Sequence, residues 1–144
     1  MKRNHSVQHR FGLGDIALDD IVVYDSCPND DRLCTFEDSS MCSYVNDAIN
    51  QYNWTRTSGD DPLASGFKPS TDHTDGTSNG GYAMVDISRA STTVTNRRAR
   101  LVSPMIIPNG EQCVEFWYYT DAEILSTASQ LKLFVRTDTQ PKNS

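Results

Sequence analysis

The apolar residues of this chain come in short β-branched and aromatic runs, each closed by a Gly-, Pro-, Asn- or Asp-containing turn, and no sustained helical period connects them. Residues 15–24, 82–87, 99–102, 113–119 and 131–135 each read as a strand, and the last two alternate clearly between apolar and polar positions. Two shorter candidates, 34–37 and 52–56, flank a polar stretch that carries Cys42. Only residues 122–125 hint at a helical turn. Between the strands lie a turn at 25–31 and a long Gly/Pro/Ser/Thr/Asp-rich loop at 57–81. Many short strands separated by such turns predict an antiparallel β-sandwich.

At 144 residues the chain is sized for one ordinary domain. Its 5 Phe, 6 Tyr and 2 Trp supply the bulky anchors that a disordered chain lacks. A net charge of −6 argues against an electrostatic grip on nucleic acid or anionic lipid. The longest apolar runs, Ile21-Val22-Val23-Tyr24 and Met105-Ile106-Ile107, fall far short of the roughly 18–20 residues of a membrane span. The first residues are basic, but no apolar stretch of about 7–15 residues follows them as in a secretory signal. Cys27, Cys34, Cys42 and Cys113 form no C-x-x-C pair and are joined by only three histidines, which argues against zinc. An even cysteine set in such a chain points to an oxidised, extracellular domain, with reduced thiols in the cytosol as the alternative.

Few residues are arranged for chemistry. Gly12-Leu13-Gly14-Asp15-Ile16-Ala17 fits a relaxed dinucleotide pattern, but a polar segment precedes it and a strand follows, the reverse of the context that motif needs. Glu37, Asp60, Asp61, Asp72 and Asp75 lie in or near loops and could converge on a hard cation; solvated carboxylates are the alternative reading. His73 has no nucleophile placed with it, and a structural hydrogen bond suits it better than catalysis. Asn4 and Asn53 each open an N-x-[ST] sequon, meaningful only outside the cell. Arg97-Arg98-Ala99-Arg100 reads as a solvated edge.

Cys34-Thr35-Phe36-Glu37, Met41-Cys42, Asn53-Trp54, Asp72-His73-Thr74, Gly81-Tyr82, Ala99-Arg100-Leu101, Ser103-Pro104 and Cys113-Val114-Glu115-Phe116-Trp117-Tyr118 occur in this order, and together they resemble a MAM domain, the extracellular module named after meprin, the A-5 antigen and the mu receptor phosphatase. Gly14-Asp15-Ile16-Ala17-Leu18-Asp19-Asp20-Ile21 with Cys27 resembles the closing strand and last cysteine of such a domain. The resemblance divides the chain into the tail of one repeat, residues 1–27, a linker, residues 28–33, and the front of a second, truncated repeat, residues 34–144. Two departures stand out: no second closing element follows residue 135, and the usual Trp after the second cysteine is missing, with Tyr44 nearby.

The resemblance implies an all-β, antiparallel jelly-roll sandwich of the concanavalin-like kind, incomplete here, and a Cys34–Cys42 disulfide, which the short spacing also permits. It implies no catalysis, protein partners, homophilic or from other ectodomains, and an extracellular or cell-surface location through a longer parent protein. If residues 15–24 fill the missing closing strand, Cys27 and Cys113 should approach disulfide range; the linker reaches at most about 20 Å. Glu37, Asp72 and Asp75 are expected near one another, ordering their loop around Ca²⁺ or Na⁺. Two other functional readings stay open: the non-catalytic ectodomain of a meprin-like protease or receptor phosphatase, and a carbohydrate-binding sandwich that uses Trp117, Tyr118 and Tyr119 as a stacking platform.

Overall fold

The computed structural model describes residues 2–4, 9–11, 16–24, 33–62, 68–86, 98–107, 112–120 and 129–136. Among them are the strands β1 (Lys2–Asn4), β2 (His9–Phe11), β3 (Ile16–Tyr24), β4 (Leu33–Cys34), β5 (Val45–Asn46), β6 (Thr55–Ser58), β7 (Gly81–Val85), β8 (Leu101–Val102), β9 (Cys113–Thr120) and β10 (Ser129–Leu131). The fold is all-β, and the strand pairs are antiparallel. Six strands form one curled, half-barrel sheet in the order β1-β9-β3-β7-β6, with β4 also paired to β3. Two small sheets, β10-β2 and β5-β8, accompany it.

β3 occupies the middle. Along one edge it pairs with β9, from Ile16↔Thr120 to Tyr24↔Cys113. Along the other it pairs first with β7, at Ile16 to Leu18, and then with β4, at Ile21 and Val22. The register with β9 shifts between Asp19 and Val22, because three steps along β3 oppose only two along β9. This is a bulge with one extra residue, and Asp20 takes it up at φ 49°. The bulge falls where β3 changes partners.

The register distributes the core over both faces of the sheet. Leu18 lies opposite Ala83 and Tyr118, and these three pack with Ile21, Cys34, Phe36, Trp54 and Val85. Ala17 lies opposite Met84 and Tyr119 and packs on the other face with Tyr82. Every residue of β7 is buried, as a strand covered on both faces requires.

Several strands differ from their sequence-expected bounds for identifiable reasons. β4 ends at Cys34 rather than continuing to residue 37, because Phe36 adopts φ 57° and turns the chain out of the extended conformation. β6 starts at Thr55 rather than at residue 52, because the Asn46 side chain takes both backbone groups of Trp54, accepting its N–H at 2.8 Å and donating to its carbonyl at 2.9 Å. β8 is shortened to Leu101–Val102, since the Arg98 and Arg100 carbonyls accept from Gln51, Tyr52 and Asp47 in the preceding loop. The alternating run at 131–135 is not a strand: pairing with β2 ends at Leu131, and Leu133, Phe134 and Val135 are exposed. The expected helical turn at 122–125 and the linker up to residue 32 lie outside the described residues.

Leu18 lies opposite Ala83 of β7 and Tyr118 of β9 and is 7% exposed, so its truncation should leave a cavity at the centre of the sheet. Leu18→Ala is expected to lower stability by about 2–5 kcal/mol, whereas Val45→Ala, at an exposed position of β5, should change it by less than about 0.5 kcal/mol. Urea unfolding of both variants checks the contrast.

Candidate functional site

The densest polar arrangement is built on the β3 bulge. Adjacent strand residues ordinarily point to opposite faces, but the positive φ of Asp20 allows both Asp19 and Asp20 to serve the loop at 72–77. Asp19 is 0% exposed. Its Oδ1 accepts the Asp20 N–H at 2.9 Å and its Oδ2 accepts the His73 N–H at 2.8 Å. Asp20 Oδ1 accepts from the Thr74 hydroxyl at 2.7 Å, and Oδ2 contacts His73 Nδ1. The His73 ring lies on Trp117 of β9, with centroids 3.7 Å apart and planes inclined by 18°. Burial pushes the Asp19 carboxyl up to about 7; the His73 N–H opposes that rise, and the charges of Asp20 and Asp72 add to it.

The loop closes on itself through Asp72. That buried side chain accepts the Asp75 N–H at 2.6 Å through Oδ2 and the Thr77 N–H at 2.8 Å through Oδ1, while the Asp72 N–H donates to the Thr77 carbonyl at 3.1 Å. Gly80 is obligatory beneath it, since a Cβ there would lie 2.1 Å from the Asp72 carboxyl carbon. The next residue, Gly81, donates its N–H to Glu37 Oε1 at 3.1 Å. Arg56 reaches from β6 and donates to the Phe36 carbonyl at 2.8 Å and the Glu37 carbonyl at 3.2 Å. Burial raises the Glu37 pKa first; the charges of Asp72 and Asp75 add to the rise, and Arg56 and the Gly81 N–H oppose it. The other end of the long loop is tied down by Tyr82, whose hydroxyl donates to the Pro69 carbonyl at 2.8 Å, and by Lys68, which donates to the carbonyls of Ser58 and Asp61.

This arrangement is a lock rather than a reaction centre. The Asp19, Asp20, Asp72 and Glu37 carboxylates accept from backbone or side-chain groups of the protein, and His73 is held between a carboxylate and an indole. Among the described residues, no group of three or more His, Cys, Asp or Glu side chains is arranged to hold a metal ion. Asp75 is exposed and joins the loop through its backbone N–H. The aromatic run on β9 forms no open platform: one face of Trp117 meets His73, and Tyr118 is buried.

Cys34 and Cys42 are bonded, with Cα atoms 5.8 Å apart. Cys113 is also disulfide-bonded; Cys27, expected opposite it, lies outside the described residues. Asn53 is exposed beside the buried Trp54, and Asn4 falls in β1 opposite Phe116. Around the Cys34–Cys42 bond an open cavity of about 330 Å³ is lined by Val23, Leu33, Tyr44, Pro104, Met105 and Ile107 among others. Leu33, Met105 and Ile107 expose 49%, 80% and 74% of their surface, so this rim is one of the apolar surfaces left uncovered among the described residues.

Sequence reasoning pointed to Glu37, Asp72, His73 and Asp75 but missed Asp19, Asp20 and Arg56. A signal existed for the first two. Two adjacent carboxylates inside an apolar strand cannot both face solvent without a bulge.

Comparison with known proteins finds that residues 34–144 match the MAM domain, meprin/A5/mu, family. The MAM domain-containing glycosylphosphatidylinositol anchor protein 1 of Gallus gallus is 35% identical over 117 residues, covering 76% of this chain and 12% of that protein. The protein of the same name from Homo sapiens is 34% identical over 135 residues, covering 88% of this chain and 13% of its own length. The chain thus spans about an eighth of the length of these relatives. No solved structure matches it.

The buried Asp19 gives the lock a pH signature. Its folded pKa of about 7 lies above the ordinary value of 3.8, so the folded state binds the proton more tightly than the unfolded chain does. The resulting stabilisation is full below the unfolded pKa and is lost as pH rises from about 4 to about 7. Asp19→Asn should flatten that slope. It should also lower stability at pH 5 by about 1–3 kcal/mol, because an amide offers one acceptor where two N–H donors need one each. Thermal unfolding of both proteins across this pH range checks the pair of effects.

Proposed function

Because the chain belongs to the MAM domain family, we propose that it is an extracellular adhesion or recognition segment of a tandem-MAM cell-surface or secreted protein, non-catalytic, with another protein as its partner. The observation that carries this reading is the uncovered apolar rim at Leu33, Met105 and Ile107, set on a disulfide-bonded β frame. Exposed apolar area of this kind is what protein–protein contact uses. The relatives' name, which refers to a glycosylphosphatidylinositol anchor and to neither a protease nor a phosphatase, supports a cell-surface setting without an attached enzyme. No observation favours the carbohydrate-binding reading, whose platform is taken up by His73 and the core.

The domain organisation we propose is the tail of a preceding repeat in residues 1–27, a linker at 28–33 and the front of a following repeat from residue 34. The start of the family match at residue 34 supports this division. A Na⁺ or Ca²⁺ ion near Glu37, Asp72 and Asp75 is part of the same reading, supported by the mutual repulsion of these carboxylates.

Two experiments test these readings. Beads coated with the chain should cluster, or bind cells that display relatives, and Met105→Asp together with Ile107→Asp should reduce that binding at least tenfold while leaving the melting temperature within a few degrees. Retention of full binding by the double variant overturns the assignment of the rim. For the cation, excess Ca²⁺ should raise the melting temperature relative to chelator, with Na⁺ substituted in a second series; no rise in either removes the ion.

A further inference from the structure

One sequence motif belongs neither to the lock nor to the rim. Asn53-Trp54-Thr55 is an N-x-[ST] sequon. Side chains of extended backbone alternate between two sides, and this tripeptide alternates fully: Asn53 is exposed, Trp54 is buried, and Thr55 is exposed. The core holds that alternation in place. Trp54 packs in the larger core cluster, and the Asn46 side chain binds both of its backbone groups, so the middle residue is fixed inward while its two neighbours face solvent. None of the described hydrogen bonds uses the Asn53 amide, and the Thr55 hydroxyl makes one long contact, to the Met84 carbonyl at 3.5 Å. β6, which follows at once, is the last strand in the order of the main sheet, and among the described pairings β7 is its sole partner. That partner lies downstream, from Ser58↔Gly81 to Thr55↔Met84, so the segment has no strand neighbour until residues 81–84 have been synthesised. The other sequon opens at Asn4, a paired position of β1, and its remaining residues lie outside the described ones.

From this arrangement we propose that Asn53 is the attachment site of an N-linked oligosaccharide. The proposal rests on the extracellular setting given above and is independent of the rim, since no residue of the sequon lines the cavity. The donor is an oligosaccharide joined through its anomeric carbon to a lipid diphosphate. The Asn53 amide nitrogen attacks that carbon; the N–C bond forms as the C–O bond to the diphosphate breaks, the lipid diphosphate leaves with the electron pair, and the amide gives up one proton. Nothing is oxidised or reduced. Transfer takes place on the extended segment while β6 is still unpaired and the Thr55 hydroxyl is free to be recognised. Trp54 then enters the core, which its side chain can do without carrying the glycan with it, because Asn53 and Trp54 lie on opposite sides of the backbone. The folded chain is left with the glycan in solvent, at the entry to the terminal strand of the sheet.

The test expresses the full chain in animal cells behind an added secretion leader. The leader supplies secretory passage, so the result reads the sequon itself, whereas the adhesion reading stands or falls on bead binding. Peptides are mapped after enzymatic release of glycans in heavy-oxygen water, which converts a glycan-bearing asparagine to labelled aspartate. Label at position 53 in most of the protein is expected. Asn53→Gln and Thr55→Ala should each lose that label and the mass of one glycan, and Thr55→Ser should keep both. Chain retained in the cells is mapped in the same way as secreted chain, since attachment precedes folding, so a poorly secreted variant still gives a reading. An endoglycosidase should trim the glycan from the folded protein without denaturant, and trimming should leave the melting temperature within a few degrees. Absence of label at position 53, or label at Asn4 alone, overturns the proposal. So does a glycan that can be trimmed only after unfolding, since Asn53 would then not hold it in solvent.

Discussion

The structure depends on the placement of one strand. β3 lies between β9 on one edge and β7 followed by β4 on the other, so removing it would leave three strands with unpaired edges and would open both packed faces of the sheet. Ala17 serves one face and Leu18 the other, and a slip of one residue in register would exchange them. Apolar pattern alone defines that register poorly, because Ala17, Leu18, Ile21, Val22 and Val23 are all buried and several offsets would bury comparable surface.

The two carboxylates remove that ambiguity. Burying Asp19 is costly, as its raised pKa records, and the cost is offset only where the His73 and Asp20 N–H groups meet its two oxygens. Any other offset would leave a buried charge without donors. The lock therefore acts chiefly through what it forbids, and the bulge is the backbone's accommodation to it: one extra residue lets Asp20 turn back to Thr74 and His73 instead of facing away. His73 connects this point to the neighbouring strand by stacking on Trp117, so the loop is tied to β9 as well as to β3.

Much of this was legible in the sequence. The all-β class, the long strands at 15–24 and 113–119 and the core role of Trp54 follow from alternation, β-branching and turn residues read locally. What local reading missed has a common cause. Phe36 ends β4 by its backbone conformation, Asn46 stands in for a strand partner of Trp54, and the β2 pairing stops at Leu131; each depends on a residue distant in sequence or on a dihedral that propensity does not predict. For the site, the loop residues Asp72, His73 and Asp75 were visible as a polar cluster, and cation binding was the natural way to order it. The loop also donates hydrogen bonds to β3, whose two carboxylates read locally only as interruptions of an apolar strand.

The same frame sets how the uncovered apolar rim can work. Leu33 precedes Cys34 in β4, and Tyr44 follows Cys42 by two positions, so the Cys34–Cys42 bond fixes two walls of the cavity to the strand that pairs with β3. Val23 lines it from β3 itself. A partner docking there meets a surface whose backbone is held by a covalent bond and by the central strand, which reduces the ordering entropy that association must overcome. The buried lock and the exposed rim lie at opposite ends of the β3–β4 pairing, and the polar residues that set the register of β3 thereby also fix where Val23 and Leu33 are presented. The presentation of the rim is thus coupled to the register of the fold, although no residue of the lock lines the cavity.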